Sequence, residues 1–345
     1  MIPVNANLRL IGLIAILGLL QMVVVPVFLL PISPHFGWLL LLGVIATPTH
    51  WSLIHEAIHG NLLPHRAANG LGGRALAIVF GSPFQLLRFG HLMHHRFNRT
   101  PLQRSDVSPK AGPPGAKESA WYYFLITIGL YAFEAAAALF ALLPGRILEA
   151  LVVRAFGDAA PDGRTMAPMA RKQLLEAPGR NRLRLDGLFI CILFGLGFWF
   201  YGSCWWMLAL ALAARGVIVS LLDNAYHYGN KLDDLHAGYN LRLPRALRCA
   251  FLNFNLHEVH HRHPCAPWSE LPRLFAEGGN VYHETLARAA FRQFFGLIPE
   301  PVAAKGGADL RNRAADVRTC RTERARTAPA ALIEAGHGRD PWSHS

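Results

Sequence analysis

The chain has 345 residues, of which 52% are hydrophobic and 16% charged, and 34 Lys and Arg against 22 Asp and Glu give a formal charge of +12. Soluble domains carry about 25% charged residues. The composition therefore excludes a disordered chain and a small disulfide-stapled scaffold, and it suggests membrane spans flanked by basic, cytoplasm-facing segments.

Leu10 to Leu30 is an uncharged run of 21 residues, about the length of a transmembrane helix and too long for the apolar region of a cleaved signal peptide. Phe36 to Ile54 is a second run of 19, joined to the first without any Lys or Arg, so the pair predicts a hairpin whose turn faces away from the cytoplasm. From Asn61 to Ala120 the chain is polar and basic, with Pro-Gly punctuation at Gly112 to Gly115; the apolar run Ala75 to Phe89 is too short to span and is expected at the membrane surface. Trp121 to Leu143 is apolar but holds Glu134, and the segment after it, 145–186, has eight Lys and Arg. A full crossing would put that basic segment outside, so 121–143 is expected to be re-entrant or interfacial. Leu188 to Leu222 is 35 residues with the single charge Arg215, predicting two closely connected helices that turn near Gly202-Ser203. The expected fold is an all-α integral membrane protein with about four transmembrane helices in two hairpins, interfacial helices and a cytoplasmic cap. It would occupy residues 1–301, followed by a basic, disordered tail over 302–345.

The five cysteines (Cys191, Cys204, Cys249, Cys265, Cys320) lie apart with no Cys-x-x-Cys, so no zinc knuckle or iron–sulfur spacing is present. Histidine, at 17, is the unusual count. Three clusters stand out: His55-Glu56-Ala57-Ile58-His59, His91-Leu92-Met93-His94-His95 and His257-Glu258-Val259-His260-His261. Positions i, i+3 and i+4 share a helix face, so each cluster is expected to present its imidazoles toward a common point, as metal ligation requires. One His-x-x-His-His would arise by chance about 0.04 times in such a chain, and two are present. Imidazole suits iron, copper and zinc, so the residues alone leave the metal open. His-Glu-x-x-His by itself is the zinc-protease signature, with Glu56 as base; eight clustered imidazoles exceed what one such site needs and suffice for two metals.

These boxes, HEAIH, HLMHH and HEVHH in this order, resemble the membrane fatty acid desaturase superfamily, as does the stretch His261-Arg-His-Pro-Cys-Ala-Pro-Trp-Ser-Glu-Leu-Pro272 after the third. The resemblance covers roughly residues 36–275. It implies a non-haem diiron centre with two iron ions, dioxygen as cosubstrate, and His55, His59, His91, His94, His95, His257, His260 and His261 as ligands. Members also draw a ligand from the helix end before the third box. There His227, four residues after Asp223 and so co-facial with it, is the expected ninth ligand. Asp223 or Asn224 would bind directly, through water, or orient a histidine, and Glu56 and Glu258 would hydrogen-bond the non-ligating nitrogens of neighbouring imidazoles. His50, His65, His236, His263 and His283 are expected at the surface or behind the ligands.

Removing hydrogen from an unactivated C–H bond is beyond any side chain and needs such a cofactor. The leading expectation is a fatty acid desaturase acting on a lipid or fatty acyl substrate. The alternatives are a hydroxylase or ketolase of an alkane, sterol or carotenoid, a membrane zinc protease, and a histidine-rich metal-binding protein without catalysis. No electron-donor motif is fused to the chain, so a separate ferredoxin-like or cytochrome b5-like donor is implied. A basic cytoplasmic face would attract an acidic partner and anionic headgroups. The positive charge follows topology with no nucleic-acid-binding motif beside it, so no nucleic-acid partner is expected. The aromatics Trp199, Phe200, Trp205 and Trp206 are expected to face the membrane.

Overall fold

The structure, a computed structural model, describes residues 1–108 and 112–300. The tail expected to be disordered, 302–345, lies outside the described residues. The described residues are about 68% helical, and four of the described helices are long and apolar enough to cross a membrane.

Helix α1 (Val4–Leu29) and helix α2 (Pro34–Ile58) form the first hairpin. Pro26 lacks an N–H, and the end of α1 widens there, with the Leu30 N–H donating to the Val25 carbonyl at 2.9 Å. The inner half of α2 carries the first histidine box and is buried. Its Leu53, Ile54 and Ile58 pack with Leu76 and Phe80 of α3 (Arg66–Phe80) and Leu87 of α4 (Phe84–Phe97). Burial of each such side chain stabilises by about 1.5–3 kcal/mol. Gly73 makes the α2–α3 contact possible, because a Cβ there would lie 2.6 Å from the Cβ of Ala57.

Helices α3 and α4 meet at 103°. Pro83 immediately precedes α4 and ends the hydrogen-bonded run. At 15 and 14 residues, each helix reaches only about 20 Å against a hydrocarbon core of about 30 Å, so neither spans alone. The run Ala75 to Phe89, expected as one surface segment, is thus divided between two helices. The second box sits on α4.

The stretch expected at the interface is a continuous 25-residue helix, α5 (Ala116–Phe140), with the length and apolarity of a span. Two turns widen at Leu125–Gly129. Its contacts run across one end of the second hairpin. Tyr122 meets Asn224 near the end of α8 (Trp205–Ala225), and the Ala138 carbonyl lies where a Cβ on Gly187, near the start of α7 (Gly179–Tyr201), would come within 2.5 Å. Between α5 and α7, helix α6 (Gly145–Phe156) sets Leu148 and Val152 against Phe89 and Met93 of α4.

Gly179–Ala225, 47 residues in all, forms the expected pair of helices, α7 and α8, reversing at Gly202. Gly202 has φ +51°, a conformation that strains other residues. Trp199, Phe200, Trp205 and Trp206 flank the turn and are 80%, 42%, 55% and 48% exposed, a lipid-facing aromatic girdle as expected from sequence. Both helices of this hairpin contact α3. Asp186 of α7 pairs with Arg74 at 2.7 Å, and Arg215 of α8 donates to the Phe80 carbonyl at 3.2 Å while lying over the Phe80 ring. Arg215 thereby places positive charge on the negative end of the α3 dipole.

After α8 the chain forms the short helix α9 (His257–Arg262), which carries the third box, and α10 (Leu286–Arg292). Two parallel strand pairs tie the C-terminal part down. Val107–Ser108 aligns with Ile298–Pro299, and Leu241–Arg242 aligns with Glu284–Thr285.

Candidate metal centre

All nine histidines singled out from the sequence converge, and they do so in two sets. One ring nitrogen from each of His55, His59, His91, His95 and His260 lies within 4.8 Å of the others; His94, His227, His257 and His261 form a second set by the same measure. The boxes do not each point at one place, which corrects the expectation of a common focus. Consecutive helical positions differ by about 100°. His94 and His95 therefore fork to opposite sets, as do His260 and His261. Each of the second and third boxes thus serves both sets.

The geometry fits metal ions. In the first set, Nε2 of His91 lies 2.9 Å from that of His59 and 3.0 Å from that of His95, and Nε2 of His260 lies 3.0 Å from that of His55 and 2.9 Å from that of His95. In the second, His227–His257 is 2.9 Å, and His261 lies 3.2 Å from both His94 and His257. An imidazole Nε2 offers one hydrogen or one lone pair and cannot serve two partners at once. Nitrogens bound at right angles around an ion about 2.1 Å away would be about 3.0 Å apart. A cation within each set gives every lone pair a partner. Burial holds His91, His95, His227, His257, His260 and His261 well below the usual imidazole range, helped by neighbouring imidazoles, so these rings stay neutral. Burial, then Arg99, lowers His94 to about 4.

The loop after the second box binds the two halves of the centre together. Asn98 Nδ2 donates to the carbonyls of Leu235 at 3.0 Å and Ala237 at 2.7 Å. Arg99, 2% exposed, pairs with Asp106 at 2.6 Å and donates to the Asn230 carbonyl at 2.8 Å, while Asp106 accepts from the Gly229 N–H. These bonds fix the segment after His227 against the end of α4. His236 meets the His261 carbonyl at 3.1 Å through Nδ1, behind the second set. His50 is buried and bonds the Leu76 carbonyl, His283 accepts from the Asn240 N–H, and His65 and His263 are exposed.

Two expected supporting roles are redrawn. Asn224 turns away from both sets: its Oδ1 accepts from Ser105, and its Nδ2 donates to Gln293 at 2.9 Å and to the Tyr122 hydroxyl at 3.3 Å. Glu258, one position past His257 and so on another helix face, is engaged with Asn240, Arg262 and His283. Glu56 stands beside the first set, 3.9 Å from Nδ1 of His55, and its other oxygen accepts from the Trp268 N–H at 3.1 Å.

An open-mouthed cavity borders both sets through His91, His94, His227 and His257. Its walls include Trp51, Leu130, Val219, Leu222 and Phe254, and it is also lined by Asp223, Glu134 and Tyr226. Asp223 belongs to neither histidine set.

A profile described as fatty acid desaturase matches residues 11–292, a span that contains all nine histidines. The chain belongs to the fatty acid desaturase family. Comparison with curated proteins and with solved structures gives no match. Within this desaturase-family fold, sequence reasoning missed Tyr226, whose position beside His227 reads as packing, and the Arg99–Asp106 pair. An Arg and an Asp in a polar loop carry no signal that they will be buried against a segment 130 residues on.

Proposed function

We propose that this member of the desaturase family is a membrane diiron oxygenase that introduces a double bond into a fatty acyl chain. The observation that supports it best is the division of nine imidazoles into sets of five and four around two points. His55, His59, His91, His95 and His260 would hold one iron, and His94, His227, His257 and His261 the other. When bound, the irons supply dioxygen activation strong enough for an unactivated C–H bond. Desaturation takes two hydrogens from adjacent carbons and two electrons and two protons from outside, and O2 leaves as two waters. The two external electrons come from a separate ferredoxin-like or cytochrome b5-like donor, on the basic, cytoplasmic side.

The chain's own contribution is placement. The first hairpin and the bent α3–α4 pair hold the first two boxes rigidly, as misplacement by an ångström is costly in rate. The apolar walls of the cavity would lay a lipid chain against the histidines and exclude water. A zinc protease would need the Glu56 carboxylate at the metal; instead one of its oxygens is held by the Trp268 N–H. Expression in a host of known lipid composition tests the proposal. New unsaturated acyl chains that require both iron and dioxygen are expected, and an unchanged lipid profile with zinc in the purified protein would reject it.

A further inference from the structure

A tunnel for a plain hydrocarbon chain has use only for apolar walls, since a polar group buried without a partner is costly. The cavity over the histidine sets departs from that in three places. Glu134, from α5, has its Oε2 buried with no hydrogen-bond partner. Tyr226 is 1% exposed and its hydroxyl is likewise buried without a partner. Its ring cannot swing the hydroxyl elsewhere, because it stacks on His257 at 4.6 Å and meets Phe254 edge-on at 5.3 Å. Asp223, from the end of α8, lines the same cavity. No Lys or Arg is among the described residues lining it.

We infer that this cavity contains a subsite for a hydrogen-bond-donating group, hydroxyl or amine, on the lipid substrate, formed by Glu134, Tyr226 and Asp223. A hydroxyl there donates to a carboxylate and accepts from the Tyr226 O–H, giving the buried groups their missing partners. An amine donates to the carboxylates. A carboxylate or phosphate finds no Lys or Arg among the described lining residues to pair with, so a lipid enters by its chain with any acidic head left outside. The inference rests on the proposed oxygenase reading and narrows its substrate class from acyl chains in general to chains that carry such a donor. The same residues would then choose which carbon faces the metals, because a group tethered at one point of the chain fixes the rest.

The test uses the iron-loaded, detergent-solubilised full chain. Affinities are measured for octadecane, for octadecanols with the hydroxyl walked along the chain, and for octadecylamine. At least one alcohol or the amine is expected to bind tenfold or more tighter than octadecane. Glu134→Leu and Tyr226→Phe are each expected to remove most of that gain and leave octadecane affinity within about twofold. Equal affinity for octadecane and every functionalised chain would overturn the inference. So would variants that lose iron and octadecane binding together, because the groups would then be balancing the charge of the centre. Failure of the oxygenase reading is visible separately, as wild-type protein that lacks iron and consumes no dioxygen whatever lipid it binds.

Discussion

Replacing His227 by Ala probes the division of the histidines, because His227 lies outside all three boxes yet closes the set of four. Its Nε2 is 2.9 Å from that of His257, and the ring is 8% exposed, so no other side chain is positioned to take its place. The substitution leaves three imidazoles in that set and all five in the other. Partners one shell further out typically cost 10–100-fold in metal affinity when removed, so loss of a direct ligand should cost at least about 100-fold, or about 2.7 kcal/mol. The assay is iron per chain after dialysis against a chelator matched to the wild-type affinity. Wild type is expected to retain two irons and His227→Ala about one. His236→Ala, whose imidazole lies behind the second set against the His261 carbonyl, should retain two. Two irons retained in His227→Ala would refute the reasoning, as would loss of both at once.

Asn224→Ala should keep both irons but lower stability by about 1–3 kcal/mol, because its side chain serves Ser105, Tyr122 and Gln293; loss of an iron would return it to the metal site. Arg99→Met strands the Asp106 carboxylate in the interior and should cost about 3–5 kcal/mol, read as the thermal midpoint, with partial recovery in Arg99→Met/Asp106→Leu. A loss below 1 kcal/mol would contradict the stapling role. The metal-free protein should lose stability as pH falls below 6.5. The unfolded imidazoles take up protons there while the buried ones, lowered well below that value, do not. The stability is fully present above pH 6.5 and declines toward about pH 4, with His94 contributing on the order of 3 kcal/mol. A flat unfolding profile between pH 7.5 and 5 would oppose it.

The long elements were legible because a bilayer imposes length and apolarity, and both are properties of contiguous sequence. The three boxes were legible for a similar reason: spacing along a helix encodes which side chains share a face. Their forking between two sets follows from the same 100° step, but the partners that receive each side are tertiary. Asn224 shows the limit. It sits three residues before His227 on the near side of the helix, yet Gln293, 69 residues on, and Tyr122 take its amide. Helix α5 shows another limit. Its apolarity is evident, whereas its path across the end of the second hairpin depends on contacts with Gly187 and Asn224 that no local pattern announces. Glu134 was visible as a lone charge in an apolar run, but only the fold brings it to the cavity with Asp223 and Tyr226.

The central claim is a pair of imidazole-bound irons in one chain. X-ray absorption at the iron edge, together with elemental analysis of purified protein, tests it most directly. Two irons per chain with first-shell scattering from nitrogen and oxygen, showing imidazole outer shells and no sulfur, is the expected result. One metal per chain, or stoichiometric zinc in place of iron, would contradict it.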